Sequence, residues 1–474
     1  MKRWLAVLAL SLSWQAGASD DKDAVIDYLD RHADEYAEVA NSIWDYAELG
    51  YLETRSSSLL QSKLTRAGFE VSAGVAGIPT AFVASFGEGE PVIGILAEFD
   101  ALPGISQGAS ATRKTIEGKP DGHACGHHLF GAGSTAAAIA VKEWMQKNQI
   151  KGTIRLYGTP AEEGGSGKVY MVRAGLFSDV DTVVHWHPSG RNAANPASSL
   201  ANKSARFRFK GISSHASSAP ERGRSALDGV EVMNYMVNMM REHVPQETRI
   251  HYVITKGGAA PNVVPDLAEV YYYIRHPNAE TLKGLWDRLM ITSEAAALGT
   301  GTTVHAETMH GNHSVLPNVA LAEVMHANLT RVGGYSYTEE ELEFAKTIDQ
   351  SLNLNKSYLG YENRIDPLKM TDSKGSTDVG DVSWVVPTAG LRTATWVPGT
   401  SAHSWQAIAA GRTSIGAKGM MVAAKTLALT MMDLLEDKAL IESAKEEFQE
   451  RRGLNFEYKA LLGDRKPPLE YRLP

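Results

Sequence analysis

Hydrophobic residues recur at helical spacing through residues 21–67: Val25, Tyr28 and Leu29, then Val39, Ile43 and Trp44, then Leu59, Leu60 and Leu64. That stripe predicts two amphipathic helices. The rhythm then shortens. Residues 71–87 read as a strand pair broken by glycines, and Pro91–Ala97 is a continuous apolar run ending at Glu98 and Asp100. Such a run suits a strand covered on both faces. An alanine-rich helix over 132–145 and strands over 153–157 and 182–187 follow. Strands alternating with helices predict an α/β layered domain.

The order changes after residue 200. It becomes a strand over 205–210, a helix over 225–240, strands over 250–255 and 269–275, a helix over 279–298 and a strand over 302–308. The sequence βαββαβ is a ferredoxin-like α+β unit. The first pattern resumes near Asn318 and finishes with a long helix over 415–435. A discontinuous main domain of residues 19–202 and 314–474, with an inserted domain of residues 203–313, is the expected organisation. The basic, proline-containing C-terminus reads as a loose tail.

A chain of 474 residues is long enough for two such domains. Its net charge of -8 leaves no basic face for a phosphate backbone, which excludes nucleic acid as a partner. Lys2 and Arg3, the apolar run Leu5–Leu12 and Ala16-Gly-Ala18 have the form of a signal peptide over residues 1–18. The mature protein is expected to begin near Ser19, in the periplasm or outside the cell. The apolar run is too short to span a bilayer and no later stretch qualifies, so no membrane partner is expected. Cys125 is the single cysteine and forms no intrachain disulfide. In an oxidising compartment a lone thiol calls for burial or a bound partner, which directs attention to its neighbours.

Those neighbours are Asp121-Gly-His-Ala-Cys-Gly-His-His128. A thiolate and an imidazole two residues apart, in a glycine turn before a helix, are good ligands for a divalent transition metal. Thr159-Pro-Ala-Glu-Glu-Gly-Gly165 sets Glu162 and Glu163 at a strand end. Adjacent side chains in extended backbone diverge, so the pair suits one ligand and one general base. His185 and His187 share a strand face, and His403 lies in the loop Pro398-Gly-Thr-Ser-Ala-His-Ser-Trp405. Each segment alone also fits a buried thiol, a solvated acidic turn or core histidines. Together they hold donors enough for two metal ions.

In this order the segments resemble the M20 metallopeptidases. Gly211-Ile-Ser-Ser-His-Ala216, Gly223-Arg-Ser-Ala-Leu-Asp228, Pro261-Asn-Val-Val264 and Ser376-Thr-Asp-Val-Gly-Asp-Val-Ser-Trp384 extend the likeness over nearly the whole mature chain. It is strongest to the aminobenzoyl-glutamate hydrolase branch. The resemblance implies a zinc-peptidase-like catalytic domain, with helices around a mixed sheet, and an inserted ferredoxin-like dimerisation domain. It implies two divalent ions, manganese or zinc, bridged by Cys125 and held by His127, Glu163, His187 and His403. Glu162 would be the general base and Asp100 its positioning carboxylate. His215 would donate to the oxyanion from a partner subunit, identical or related, and Asn262 would touch substrate. Arg275, at a strand end, is a candidate for pairing with a substrate carboxylate, with bracing of the domain as its other reading. One departure is His128, where many relatives carry Asp.

The implied activity is hydrolysis of the amide of an N-acyl amino acid, with an aminobenzoyl-glutamate-like substrate as the leading choice. A dipeptidase or aminoacylase is the alternative within the family. A binding protein on a dead hydrolase fold is the alternative outside it, opposed by the presence of Glu162 and all five ligands.

Overall fold

The computed structural model describes residues 21–473; the expected signal segment, residues 1–18, lies outside the described residues. The chain opens with α1 (residues 21–31), α2 (Ala33–Tyr46) and α3 (Thr54–Arg66). The first stripe is therefore three helices rather than two. The chain breaks helix at His32, whose ring nitrogen sits 2.8 Å from the Tyr28 carbonyl. Next come β1 (Glu70–Ala73), β2 (Phe82–Glu88), β3 (Val92–Ala97), α4 (His127–Asn148), β4 (Gly152–Gly158), α5 (Gly167–Arg173) and β5 (Thr182–Ser189). Helix α4 starts ahead of the alanine-rich stretch, so the Cys-Gly-His turn forms its N-terminus.

After the short β6 (Ala197–Ser198) the chain enters β7 (Ala201–Lys210), α6 (Ala226–Met240), β8 (Arg249–Lys256), β9 (Leu267–His276), α7 (Ala279–Thr300) and β10 (Thr303–Asn312). It continues through α8 (Val319–Val332), α9 (Glu339–Ser351), β11 (Thr371–Asp372), α10 (Val379–Ser383) and β12 (Thr388–Ala394). Helices α11 (Trp405–Gly411), α12 (Ser414–Glu436) and α13 (Lys438–Arg452) complete it.

The main sheet has the order β1-β2-β4-β3-β5-β12. Strands β1, β2 and β4 pair antiparallel, whereas β4, β3, β5 and β12 run parallel. Every residue of β3 is buried, as its unbroken apolar run requires. Parallel strands end on the same side, so the segments after β3, β4, β5 and β12 gather at one edge. Open α/β sheets bind ligands at that edge.

The second sheet, β10-β7-β9-β8, is antiparallel throughout and has the ferredoxin-like order. Helices α6 and α7 enclose its own core of Phe207, Phe209, Tyr272 and Leu289. Strand β8 is an edge, with Val253 and Ile254 exposed, and α6 exposes Tyr235 and Met239 nearby in the same domain.

The segment after α13 is not a loose tail. Leu461 and Leu462 are buried, and Tyr471 packs edge-on against Tyr51 with ring centroids 5.6 Å apart. The Arg173 guanidinium donates to the carbonyls of Gly463 and Arg465, both at 2.8 Å. Its prolines and charges suggest solvation, but these interspersed apolar and aromatic residues anchor it. Among the described residues no helix is long and apolar enough to cross a membrane.

Candidate metal centre

The centre forms where four strand-end segments converge. Gly126 separates Cys125 from His127 with φ at +78°, a conformation natural to glycine. A Cβ there would lie 2.7 Å from the Pro188 side chain. A larger residue would push the turn off β5; glycine lets Cys125 Sγ approach His187 Nε2 to 3.4 Å.

Both of these histidines are held by Nδ1. His127 Nδ1 lies 2.9 Å from Asp100 Oδ1, and His187 Nδ1 lies 2.7 Å from the Pro188 carbonyl. A carboxylate and a carbonyl only accept, so each Nδ1 carries a proton and each Nε2 is left as the donor atom for a cation. Asp100 also accepts the Glu163 amide through its other oxygen at 2.9 Å. One buried carboxylate thus fixes a ligand ring and the loop carrying both glutamates.

That loop passes through left-handed backbone at Ala161 and Ser166, and its two carboxylates diverge. Glu163 Oε1 lies 3.1 Å from His403 Nε2, whereas Glu162 groups with Glu98 and His127. His403 is itself left-handed, and its backbone N–H donates to the Ala124 carbonyl, docking its loop on the cysteine turn.

The atoms fall into three ligand groups, Cys125–His127–His187, Cys125–Glu163–His403 and Glu98–His127–Glu162, with the thiol shared by the first two. His127 Nε2 and Glu98 Oε2 are buried and face each other at 3.1 Å without a well-directed hydrogen bond. Buried polar atoms are rarely left so. Thiolate, imidazole and carboxylate donors around such atoms fit borderline divalent metals.

The local charges point the same way. Burial opposes charge on His127, but Cys125, Glu98 and Asp100 outweigh it and hold its pKa well above the ordinary value. Hydrogen bonds to Cys125 and Glu163 raise His403 to about 10. Burial, followed by the charges of Glu98 and Glu163, pushes Glu162 well above the carboxylate range. The cluster draws in positive charge.

Several members have no clear mark in the sequence. Lys168, fully buried, bridges Glu98 and Asp378 at 2.7 Å each. Glu98 stands two residues before Asp100, and that spacing puts both on one side of the strand end; Asp378 lies within the Ser376–Trp384 motif. Lys168 is signalled only by its place just after the glutamate loop. Arg392 is a lone charge in an apolar strand, a pattern that could have singled it out. The loop is also braced from outside the four segments. The buried Glu53 accepts the Ala161 amide at 2.8 Å, and Tyr471 donates its hydroxyl to the Glu163 carbonyl at 3.0 Å.

His128 points elsewhere. Its Nε2 lies 3.1 Å from the Gly411 carbonyl, and burial together with His123 depresses its pKa well below 6.5. It is a neutral packing residue. His215 and Asn262 lie in neighbouring exposed loops of the inserted domain, joined by a single β-bridge between His215 and Val263, where the Ala216 amide donates to the Asn262 carbonyl. Arg275 rests over the Tyr273 ring. None of these three lines the cavity of about 620 Å³ that contains Cys125, Glu162, Glu163, His187 and His403.

Residues 200–299 match the family model of the M20 peptidase dimerisation domain. The chain is 42% identical over 451 residues to one of the p-aminobenzoyl-glutamate hydrolase subunits of Escherichia coli, covering 90% of this chain and 94% of that protein. It is 30% identical over 441 residues to the Xaa-Arg dipeptidase of Mus musculus, covering 89% and 90%. Among solved structures, a dinuclear metal-binding M20 peptidase from Bacillus subtilis superposes with a TM-score of 0.57. That alignment covers 86% of this chain and 99% of that one at 16% identity, and so attests the fold.

Proposed function

From the premise that the chain belongs to the M20 family of metallopeptidases, we propose that it hydrolyses the amide of N-acyl amino acids, releasing the free amino acid. Hydrolysis of an amide or peptide bond is the activity common to the family relatives. An aminobenzoyl-glutamate-like amide is the preferred substrate, following the name of the Escherichia coli relative. The observation that carries the reading is the sharing of Cys125 between two ligand groups.

Cys125, His127, Glu163, His187 and His403 would hold two divalent ions, manganese or zinc, with the thiolate common to both ligand groups. Cations held there make water more acidic and polarise the scissile carbonyl. Glu162 takes the proton of the attacking water on its carboxylate and delivers it to the leaving nitrogen. Its burial among other carboxylates suits it to hold that proton between the two steps. Asp100 keeps His127 in one tautomer and holds the glutamate loop by its amide. His215 of the partner subunit donates to the developing oxyanion, Asn262 contacts substrate beside it, and Arg275 braces the inserted domain or meets a substrate carboxylate.

The assembly is a dimer through the inserted domain, supported by the exposed apolar residues of β8 and α6. The partner is a second copy or, because the Escherichia coli relative is named as one subunit of a hydrolase, a related chain. Residues 1–18 direct it to the periplasm or outside the cell, which sequencing the N-terminus of the exported protein would check.

A panel of N-acyl amino acids and dipeptides, assayed with protein loaded with manganese or zinc, tests the activity. N-acyl-glutamates should give the highest kcat/KM, and Glu162→Gln should remove most turnover while metal content stays near wild type. Metal loss matching that of Glu163→Gln would reverse the two roles. The second reading, a dipeptidase, follows the mouse relative and would appear as a preference for Xaa-Arg dipeptides.

A further inference from the structure

Strand β12 runs parallel to β5 with Arg392 in register with His187. Residues in register on neighbouring strands project from the same face, so the guanidinium stands beside a proposed metal ligand. It lines the same cavity as Cys125, Glu162 and Glu163. It keeps open surface, and the space it faces is that cavity.

No carboxylate answers its charge. The ionisable groups that act on it are the Cys125 thiol, which favours its charge, and Arg191, which opposes it. Arg191, also on the cavity wall, is paired with Asp366 at 3.2 Å. Of the two arginines among the described residues that line the cavity, Arg392 is the one without a protein counter-ion. Its open side faces the space a substrate would fill. The cavity lies within the size range of small-molecule sites.

We infer that Arg392 is the carboxylate anchor of the substrate pocket, gripping an acidic group of the N-acyl amino acid while its amide lies at the ligand cluster. A guanidinium offers paired donors that match the two oxygens of a carboxylate. The same charge disfavours a cationic group in that part of the pocket. The inference rests on the amide-hydrolase reading for its substrate, but it can be tested apart from turnover.

The test compares wild type, Arg392→Met and Arg392→Lys, each metal-loaded and assayed for metal content. An N-acyl-glutamate and its diamide are the substrates, and free glutamate binding is followed by calorimetry. Arg392→Met should lower kcat/KM for the dicarboxylate by at least about 30-fold and for the diamide by less than about threefold. Glutamate binding should weaken in parallel, with metal content unchanged and partial recovery in Arg392→Lys. Equal losses on both substrates, or unchanged glutamate binding, overturn the anchor. Loss of metal would overturn it too, assigning the guanidinium to Cys125. If wild type cleaves no amide yet binds glutamate through Arg392, the anchor stands and the hydrolase reading fails. Should Arg392→Met not fold, Arg392→Lys decides alone: a kcat/KM loss confined to the dicarboxylate, with a full metal complement, supports the anchor, whereas no loss or equal losses on both substrates overturn it.

Discussion

Cys125 can be followed without any substrate. If its sulfur lies between two cations, thiol reagents should label chelated protein quickly and metal-loaded protein many times more slowly; equal rates would remove it from the bridging position. The experiment is clean because the chain has no other cysteine. Residues of this kind were legible in the sequence, since Cys125 with His127 and Glu162 with Glu163 are close neighbours in segments of distinctive composition. The Glu98–Lys168–Asp378 cluster was not. Its members are brought together from three separate segments, and no periodicity marks a contact made only by the fold. Arg392 lies between these cases, readable as an anomaly in an apolar strand but without meaning until β12 was set beside β5.

Elements hold the site through contacts at their ends. Glu53, just before α3, accepts from the Ala161 amide and, at 3.0 Å, from the Thr80 hydroxyl. Burial and the nearby Asp100 raise its pKa to about 8. Below pH 4.5, its ordinary value, the carboxyl is protonated whether the chain is folded or not. From there to about 8 the unfolded chain ionises and the folded one does not, so stability is lost as pH rises, by about 1.4 kcal/mol per unit. Glu53→Gln keeps the geometry and cannot ionise. In chelated protein, its urea midpoint should gain steadily on wild type between pH 5 and 7.5; a constant difference would mean Glu53 is charged in the folded state. The strands and long helices followed from hydrophobic period, whereas the bracing segment after α13 did not. Its anchoring residues are single leucines and tyrosines spaced by prolines and charges, with no repeat to detect.

For the whole molecule, the separation of His215 from the cavity is the central fact. Inactive Glu162→Gln and inactive His215→Ala proteins, mixed and allowed to exchange subunits, should regain part of the wild-type activity. A mixed dimer holds one site with both an intact base and an intact donor. No recovery despite demonstrated exchange would mean that His215 acts within its own chain or not at all. The bracing of Glu163 carries a consequence for how the protein is made. The carbonyl that Tyr471 grips belongs to a residue synthesised 308 positions earlier. On the ribosome the glutamate loop emerges long before its clasp, so a partly synthesised chain carries most of a chelating cluster with one restraint missing. The order of translation therefore leaves an interval in which metal can be met by an unfinished grip, and the closing tyrosine ends it.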